Sequence, residues 1–213
     1  MPLKKIVIAQ WLRDIAHGLN ESSVLIPNGL DFQRFQMGTL PQDRNSNQIM
    51  MLFHNHNWKG STDGLEALSI VKQQVPELRA TLFGTSKAPA NLPDWIEYHR
   101  KPPQMKLREL YNQAAIFLAP SWSEGWPLPP AEAMMCGAAL VATDIGGHRE
   151  YAIHEETALL SPPKDANGLA ENILRLVRDK DFRIHLAKQG NVHIQQFTWY
   201  RAVERFEATL KEN

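Results

Sequence analysis

Short apolar segments alternate along the chain with longer segments in which apolar residues recur every three or four positions. Runs of β-branched and apolar residues predict strands at 4–9, 22–27, 48–53, 79–84, 95–99, 115–121, 139–144 and 158–162. Helical spacing predicts helices at 12–19, 63–74, 105–114, 166–178, 181–195 and 199–210. This alternation indicates an α/β fold, with a parallel sheet covered by helices on both faces.

The stretch "SWSEGWPLPPAEAMMCG", residues 121–137, directly follows a predicted strand. Pro129 and Pro130 favour the start of a helix, and Gly137 can end that helix in a left-handed conformation. Glu124 then precedes the helix. Glu132 is predicted in its first turn, where the positive end of the helix dipole would keep the carboxylate ionised.

The two carboxylates suggest binding of a polyol on each side of an anion. A carboxylate can accept two hydrogen bonds from a vicinal diol such as a ribose, and Gly125 lets a ligand approach the backbone closely. Backbone N–H groups between Glu124 and Glu132 would face an anion at the helix start. A sugar, a phosphate group and a ribose, linked in this order, are the parts of a nucleotide sugar. The alternative is that both glutamates are solvated charges.

The charge balance limits the classes of partner. Lys and Arg total 23, and so do Asp and Glu, so no bulk positive charge favours nucleic acid and an anion must be held locally. The single Cys136 excludes an intramolecular disulfide and indicates a buried thiol in a cytoplasmic protein. No apolar run approaches the roughly 20 residues of a membrane span, which leaves peripheral contact with the inner face of the membrane open.

The motif "SEGWPLPPAEAMMCGAALVATDIGGHRE" resembles the donor-binding motif of glycosyltransferase family 4, retaining enzymes of the GT-B fold. The matching positions are Ser121, Glu124, Gly125, Glu132, Ala133, Met134, Cys136, Gly137, Gly146, Gly147 and Glu150. Residues 24–35 resemble the family's hinge, 58–68 its phosphate-binding loop and following helix, and 197–210 its C-terminal helix. The resemblance therefore covers essentially the whole chain and implies a Rossmann-like parallel sheet, the C-terminal half of a GT-B fold.

The resemblance also implies a domain organisation. Residues 1–31 would be a remnant of the acceptor domain with the hinge, 32–195 the nucleotide-sugar-binding domain, and 196–213 the crossover helix. An N-terminal acceptor domain would complete the cleft, in the same polypeptide or as a separate chain. Without it, we expect Ile6, Ile8, Trp199 and Phe206 to leave an apolar patch exposed.

The resemblance assigns catalytic roles to Lys59, on the donor diphosphate, and to Glu124, on hexose hydroxyls near the reacting carbon. Lys59 precedes a predicted helix that Ser61 or Thr62 would cap, so its charge and the helix dipole act together. Otherwise Lys59 is an ordinary solvated lysine. The resemblance assigns Glu132 to the ribose, and the other implied donor-binding positions are Asn55, Lys101, Gly125, Trp126, Leu128, Gly146 and Gly147.

The segment "FHNHNWKG" departs from the family pattern. His54 and Asn55 stand where the family usually has Gly-Arg. The missing guanidinium implies weaker donor binding or a substitute cation. His54 and His56 have no evident third ligand nearby, so we expect no metal site.

Three functions are compatible with these features to different degrees. The leading one is a retaining hexosyltransferase of polysaccharide biosynthesis, which uses a UDP- or GDP-linked sugar as substrate, needs no cofactor and acts on a glycan or glycolipid acceptor. The alternative is a non-catalytic nucleotide-sugar-binding subunit that needs a partner chain. A nicotinamide-binding domain fits poorly, because no Gly-x-Gly-x-x-Gly follows an early strand and both glutamates would lack a role.

Overall fold

A computed structural model describes residues 5–89 and 91–211. Its strands are β1 (Lys5–Val7), β2 (Ser23–Leu25), β3 (Gln48–Leu52), β4 (Arg79–Gly84), β5 (Ile96–Arg100), β6 (Ile116–Ala119), β7 (Ala139–Thr143) and β8 (Ala158–Ser161). Its α-helices are α1 (Gln10–Gly18), α2 (Ser61–Gln74), α3 (Gln104–Gln113), α4 (Leu128–Met135), α5 (Gly146–Arg149), α6 (Ala166–Arg178), α7 (Lys180–Ile194) and α8 (Trp199–Lys211).

Six strands form one parallel sheet in the order β5-β4-β3-β6-β7-β8. Apolar side chains of α2 and α6 pack on one face of this sheet, and those of α3 and α4 pack on the other. All five residues of β7 are buried, as expected for a central strand covered on both faces. The predicted α/β fold with a parallel sheet is confirmed.

The strand order reverses between β3 and β6. The connections from these neighbouring strands lead to opposite faces of the sheet, so a crevice opens where their carboxyl ends lie side by side. The loops after β3 and β6 therefore meet at the same place. These are the loops that carry Lys59 and Glu124.

The structure differs from the sequence-based prediction at two helices, α2 and α5. Gly60, not Ser61 or Thr62, is the N-cap of α2, and no side chain caps it. The Ser61 hydroxyl instead accepts a hydrogen bond from the backbone N–H of His54 and donates one to the His54 carbonyl, both at 2.9 Å. The segment after β7 contains the single-turn helix α5, which is not among the helices predicted from the spacing of apolar residues.

The end of α4 agrees with the sequence analysis. Gly137 follows the helix with a φ of +87°, the left-handed conformation that glycine adopts without strain. The neighbouring thiol of Cys136 is fully buried, and burial raises its pKa to about 12. Cys136 is thus a packed thiol, as predicted.

The N-terminal segment and the last helix lie together. β1 and β2 pair in a separate parallel sheet of two strands, and the Leu30 N–H donates to the Phe197 carbonyl at 2.9 Å. Ile6, Trp199 and Phe206 are 37, 59 and 46% exposed, whereas Ile8 is only half-buried. Three of the four apolar side chains expected to be exposed are therefore exposed. The domain boundaries at residues 31 and 195 stay predictions.

The buried side chain of Arg44 donates hydrogen bonds to carbonyl groups at the ends of two helices, α3 and α4. The Arg44 guanidinium is 6% exposed and donates to the carbonyls of Tyr111 and Ala114 at 3.2 and 2.7 Å, at the end of α3. It also donates to the carbonyls of Thr39 and of Cys136, which follows α4. Burial lowers the pKa of Arg44 to about 10. Carbonyls at helix ends have no intrahelical partner, so Arg44 supplies one to both helices.

Replacement of Arg44 by methionine should lower the free energy of unfolding by about 3 kcal/mol, because each buried acceptor left without a donor costs about 1–3 kcal/mol. Urea denaturation of the 213-residue chain measures this. The control is Arg178→Met, since Arg178 is exposed and makes one hydrogen bond, to Gln74 at 2.7 Å; its expected change is within about 0.5 kcal/mol. Equal effects of the two substitutions would contradict the role of Arg44.

Candidate active site

A cavity of about 260 Å³ lies at the carboxyl ends of β3 and β6. Its wall includes Lys59, Ser121, Glu124, Trp126, Leu128 and His148. Other surface cavities exist, including one of about 380 Å³ beside α8. The cavity at the strand ends holds Lys59 and Glu124, the charged residues to which the resemblance assigns catalytic roles, and it lies where parallel α/β sheets bind their ligands.

Lys59 and Glu124 form an ion pair in this cavity. The Lys59 ammonium Nζ lies 2.7 Å from Glu124 Oε1, and their side chains are 24 and 15% exposed. The Ser121 hydroxyl donates to the same carboxylate oxygen at 2.9 Å. Glu124 also lines a broad, open cavity of about 570 Å³ whose wall includes Trp11 and Trp58. The carboxylate therefore lies between two cavities.

The loops that carry this pair pack directly against each other. The Trp122 N–H donates to the Trp58 carbonyl at 2.7 Å. Gly60 has a φ of +61°, and a Cβ atom there would lie 1.9 Å from the Pro120 carbonyl oxygen. Only glycine fits this position, both for its backbone conformation and for its space. The contact fixes Lys59 opposite Glu124.

Close packing also requires glycine at the first two positions of α5. A Cβ atom on Gly147 would lie 2.4 Å from the Glu124 carbonyl oxygen, and one on Gly146 would lie 2.4 Å from the Trp11 ring. The loop before α5 is thereby pressed against the backbone of Glu124. The predicted role of these glycines in enclosing a sugar stays a prediction.

Helix α1 is attached to the site by two hydrogen bonds. The Trp11 indole N–H donates to the Gly125 carbonyl at 3.1 Å. The Glu150 carboxylate accepts from the backbone N–H of Gln10, the first residue of α1, at 2.6 Å. Trp11 thus positions the loop of Glu124, a role that the sequence analysis missed. An indole 114 residues away in sequence gives no signal of this contact.

Glu132 lies deeper than the sequence predicted. It is the fifth residue of the eight-residue helix α4, beyond the first turn, so the helix end does not hold its charge. Burial raises the pKa of its carboxyl group, although a hydrogen bond from the Tyr111 hydroxyl to Oε2 at 2.9 Å and the charge of Arg34 oppose this shift. The other carboxylate oxygen receives no hydrogen bond from any residue in the described part of the chain.

Of the eight predicted donor-binding residues, Trp126 and Leu128 line the cavity of Lys59 and Glu124, whereas six do not: Gly125, Glu132, Gly146, Gly147, Asn55 and Lys101. Asn55 lines a neighbouring pocket with His54 and His56, whose rings lie 4.4 Å apart. Lys101 follows the edge strand β5, and its N–H donates to the Gly84 carbonyl at 2.8 Å. Among residues 5–89 and 91–211, no three His, Cys, Asp or Glu side chains come together as a metal site would require. The predicted contacts of Asn55 and Lys101 with a donor stay predictions.

Residues 49–179 match the family described as glycosyl transferases group 1, and the chain belongs to this family. Over 105 residues it is 31% identical to O-antigen chain mannosyltransferase B of Escherichia coli, covering 49% of this chain and 27% of that protein.

Solved structures of GT-B glycosyltransferases share the fold. Sucrose-phosphate synthase of Thermosynechococcus elongatus aligns with a TM-score of 0.83 at 25% identity, over 98% of this chain and 58% of that one. Anabaena HepE in complex with UDP-glucose also gives a TM-score of 0.83, at 17% identity, over 98% and 63% of the two chains. The chain thus has the fold of about half of such a protein.

The chain spans less than two thirds of the length of these relatives. Within the residues that the structure describes, no helix has the length and apolar character needed to cross a membrane.

Substitution of Gly60 by alanine should lower the free energy of unfolding by about 2–4 kcal/mol, because a strained left-handed residue and a steric overlap are both introduced. Urea denaturation measures the loss. Gly18→Ala is the matched control, since a Cβ atom at the end of α1 meets no atom within 4 Å. That variant should be as stable as the parent chain or slightly more stable. A Gly60 variant of parental stability would mean that the two loops tolerate separation.

Proposed function

We propose that this chain is the donor-binding part of a retaining glycosyltransferase of family 4, which transfers a hexose from a UDP- or GDP-linked donor to a glycan or glycolipid. The observation that carries the proposal is the Lys59–Glu124 pair, 2.7 Å apart at the reversal of the strand order. It brings a cation and a carboxylate into one cavity. The cation can bind a diphosphate, and the carboxylate can accept hydrogen bonds from sugar hydroxyls.

Lys59 and the start of α4 would hold the diphosphate. The cavity wall includes Leu128, the first residue of that helix, and its N–H at the helix start favours an anion, whereas Pro129 and Pro130 have no N–H to donate. Transfer breaks the bond between the anomeric carbon and the departing phosphate oxygen. Lys59 would stabilise the negative charge that develops on that oxygen, an electrostatic contribution to catalysis.

Glu124 would contact the hexose beside the reacting carbon. Glu124 lines the cavity of Lys59 and also the more open cavity next to Trp11 and Trp58. An acceptor hydroxyl entering from the open side would meet the sugar on the face from which the phosphate departs. Its proton would leave with the phosphate oxygen as the new glycosidic bond forms. This front-face geometry gives retention of configuration.

Glu132 would bind the ribose hydroxyls. Oε2 is occupied by the Tyr111 hydroxyl, which fixes the carboxylate and leaves Oε1 for the ligand. Asn55 and Lys101 would complete the contacts with the donor, on the phosphate side and near the base. The UDP-glucose bound to HepE, which shares the fold, supports a nucleotide-sugar ligand for this chain as well.

The acceptor would bind partly outside this chain. The matched GT-B structures are longer, since the chain covers 58 and 63% of two of them. An N-terminal acceptor domain would lie on the apolar surface formed by Ile6, Trp199 and Phe206, which are all more than one third exposed. We place the reaction in the cytoplasm, at the inner face of the membrane when the acceptor is a glycolipid.

Lys59→Ala should weaken UDP or GDP binding about 10- to 100-fold, because a charge-assisted hydrogen bond contributes about 1.5–3 kcal/mol. Binding of uridine or guanosine should change little. Titration calorimetry of the four ligands measures both effects, with the exposed Lys188→Ala as a control that leaves all affinities unchanged. Equal losses for nucleosides and nucleoside diphosphates would show that Lys59 supports the loop without touching phosphate.

Glu132→Gln should weaken UDP or GDP binding about tenfold, since the amide is a weaker acceptor than the carboxylate for the ribose hydroxyls. The preference for the nucleotide over its 2′-deoxy analogue should shrink. The same calorimetric titrations test this, and the exposed Glu171→Gln is the control. If the Glu132 variant keeps both the affinity and the preference, the ribose is bound elsewhere.

A further inference from the structure

His148 is a wall residue of the candidate site that the sequence motif contains and to which no role was assigned. It is the third residue of α5, its exposure is 0%, and it lines the cavity of Lys59 and Glu124. Its ring nitrogens differ in their surroundings: Nδ1 faces Thr143, whereas Nε2 is buried without a hydrogen-bond partner among the described residues.

The position of the ring proton follows from the partners of Nδ1. The Thr143 hydroxyl donates its proton to the Ser121 carbonyl, so towards His148 it can only accept. The Thr143 carbonyl oxygen, 2.8 Å from Nδ1, is likewise an acceptor, and the hydroxyl oxygen lies at 3.2 Å. With two acceptors facing it, Nδ1 must carry the proton.

The ring is neutral at physiological pH. The pKa of His148 is lowered to about 4, mainly by burial and to a smaller extent by the charge of Lys59, while the hydrogen bond to Thr143 and the charges of Glu124 and Asp144 oppose the shift. A neutral imidazole with its proton on Nδ1 has a lone pair on Nε2. His148 therefore carries a buried acceptor without a donor, and a buried polar atom of this kind calls for a ligand, an ion or a water.

Because Nε2 is a hydrogen-bond acceptor, only ligand groups that donate a hydrogen bond can bind to it. Ionised phosphate and carboxylate oxygens have no proton to donate, so they cannot bond to Nε2. A hydroxyl group can donate to it and still accept from a neighbour. Another wall residue, Trp126, has a buried indole N–H that also lacks a partner in the described chain. Sugar hydroxyls, which both donate and accept, suit two wall residues that each hold one unpaired polar atom of these two kinds.

We propose that His148 is a specificity-determining residue of the donor site, whose Nε2 accepts a hydrogen bond from one hydroxyl of the transferred sugar. The proposal rests on the proposed function. It assigns the two parts of the donor to different residues. Lys59 binds the diphosphate, while His148 and Glu124 together bind the hexose. A donor that lacks the hydroxyl at this position leaves the buried acceptor unpaired and is therefore bound less well.

The tautomer can be measured on the ligand-free chain by ¹⁵N NMR of the histidine rings at neutral pH, with assignment by His148→Asn. We expect a protonated Nδ1 and an unprotonated Nε2. Addition of UDP or GDP should leave Nε2 unprotonated, and a bound nucleotide sugar should shift its resonance as a hydroxyl donates to it. A proton on Nε2, in the free chain or with the diphosphate bound, would overturn the proposal.

Variants test the contact with the sugar. The Asn side chain keeps a donor in place of Nδ1 and removes the acceptor, whereas Gln places a carbonyl oxygen near the position of Nε2. The probes are UDP, GDP, UDP-glucose, UDP-galactose, UDP-N-acetylglucosamine and GDP-mannose. For the tightest sugar donor, His148→Asn should lower affinity about tenfold, as expected for one hydrogen bond, and should leave the affinity for the free diphosphate unchanged. His148→Gln should recover part of the loss.

Deoxyfluoro analogues of the same donor identify the hydroxyl, because fluorine cannot donate a hydrogen bond. For one analogue the His148→Asn loss should disappear. The control is the exposed His185→Asn, and thermal unfolding checks that each variant is folded. Equal losses for the diphosphate and the sugar donor, or a loss that persists with every analogue, would overturn the role of His148. If the parent chain binds neither UDP nor GDP, the proposed function fails, and the assignment of Nε2 to a sugar fails with it.

Discussion

The contact between Gly60 and the Pro120 carbonyl is the constraint on which the site depends. The loops after β3 and β6 approach so closely there that a Cβ atom would lie 1.9 Å from the carbonyl oxygen. Because the strand order reverses between these two strands, the loops border one crevice although they are about 60 residues apart. The contact sets the distance between Lys59 and Glu124, and the other walls of the cavity are built around that pair.

The site is largely preorganised without a ligand. Lys59, Glu124 and Ser121 already satisfy one another, and a cation and a carboxylate that neutralise each other reduce the cost of burial. Trp11 and the glycine pair before His148 hold the Glu124 backbone from the other side. A ligand therefore meets side chains in fixed positions, which limits the conformational entropy lost on binding. Among the residues that the structure describes, His148 Nε2 is left without a partner in this arrangement.

Local sequence patterns predicted the secondary structure well where spacing alone decides it. β4 and α6 begin and end at the predicted residues, and the left-handed Gly137 ends α4 as expected. The same patterns failed at the helix starts. Ser61 is an ordinary N-cap residue by type, but its hydroxyl binds the His54 backbone. Glu132 was predicted in the first turn of α4 but is its fifth residue, just beyond that turn, because the helix begins at Leu128, before the proline pair.

Hydrophobic periodicity and motif spacing are local properties of the chain, so the sequence was enough to predict the parallel α/β fold, a glycosyltransferase and the charged residues Lys59 and Glu124. How these residues are paired depended on the tertiary structure. It joined Lys59 to Glu124, placed Tyr111 on Glu132 and enclosed His148 behind Thr143. These contacts arise where separate loops are brought together by strand order and packing. Burial, hydrogen-bond partners and the resulting protonation states follow from that assembly, and no local pattern encodes them.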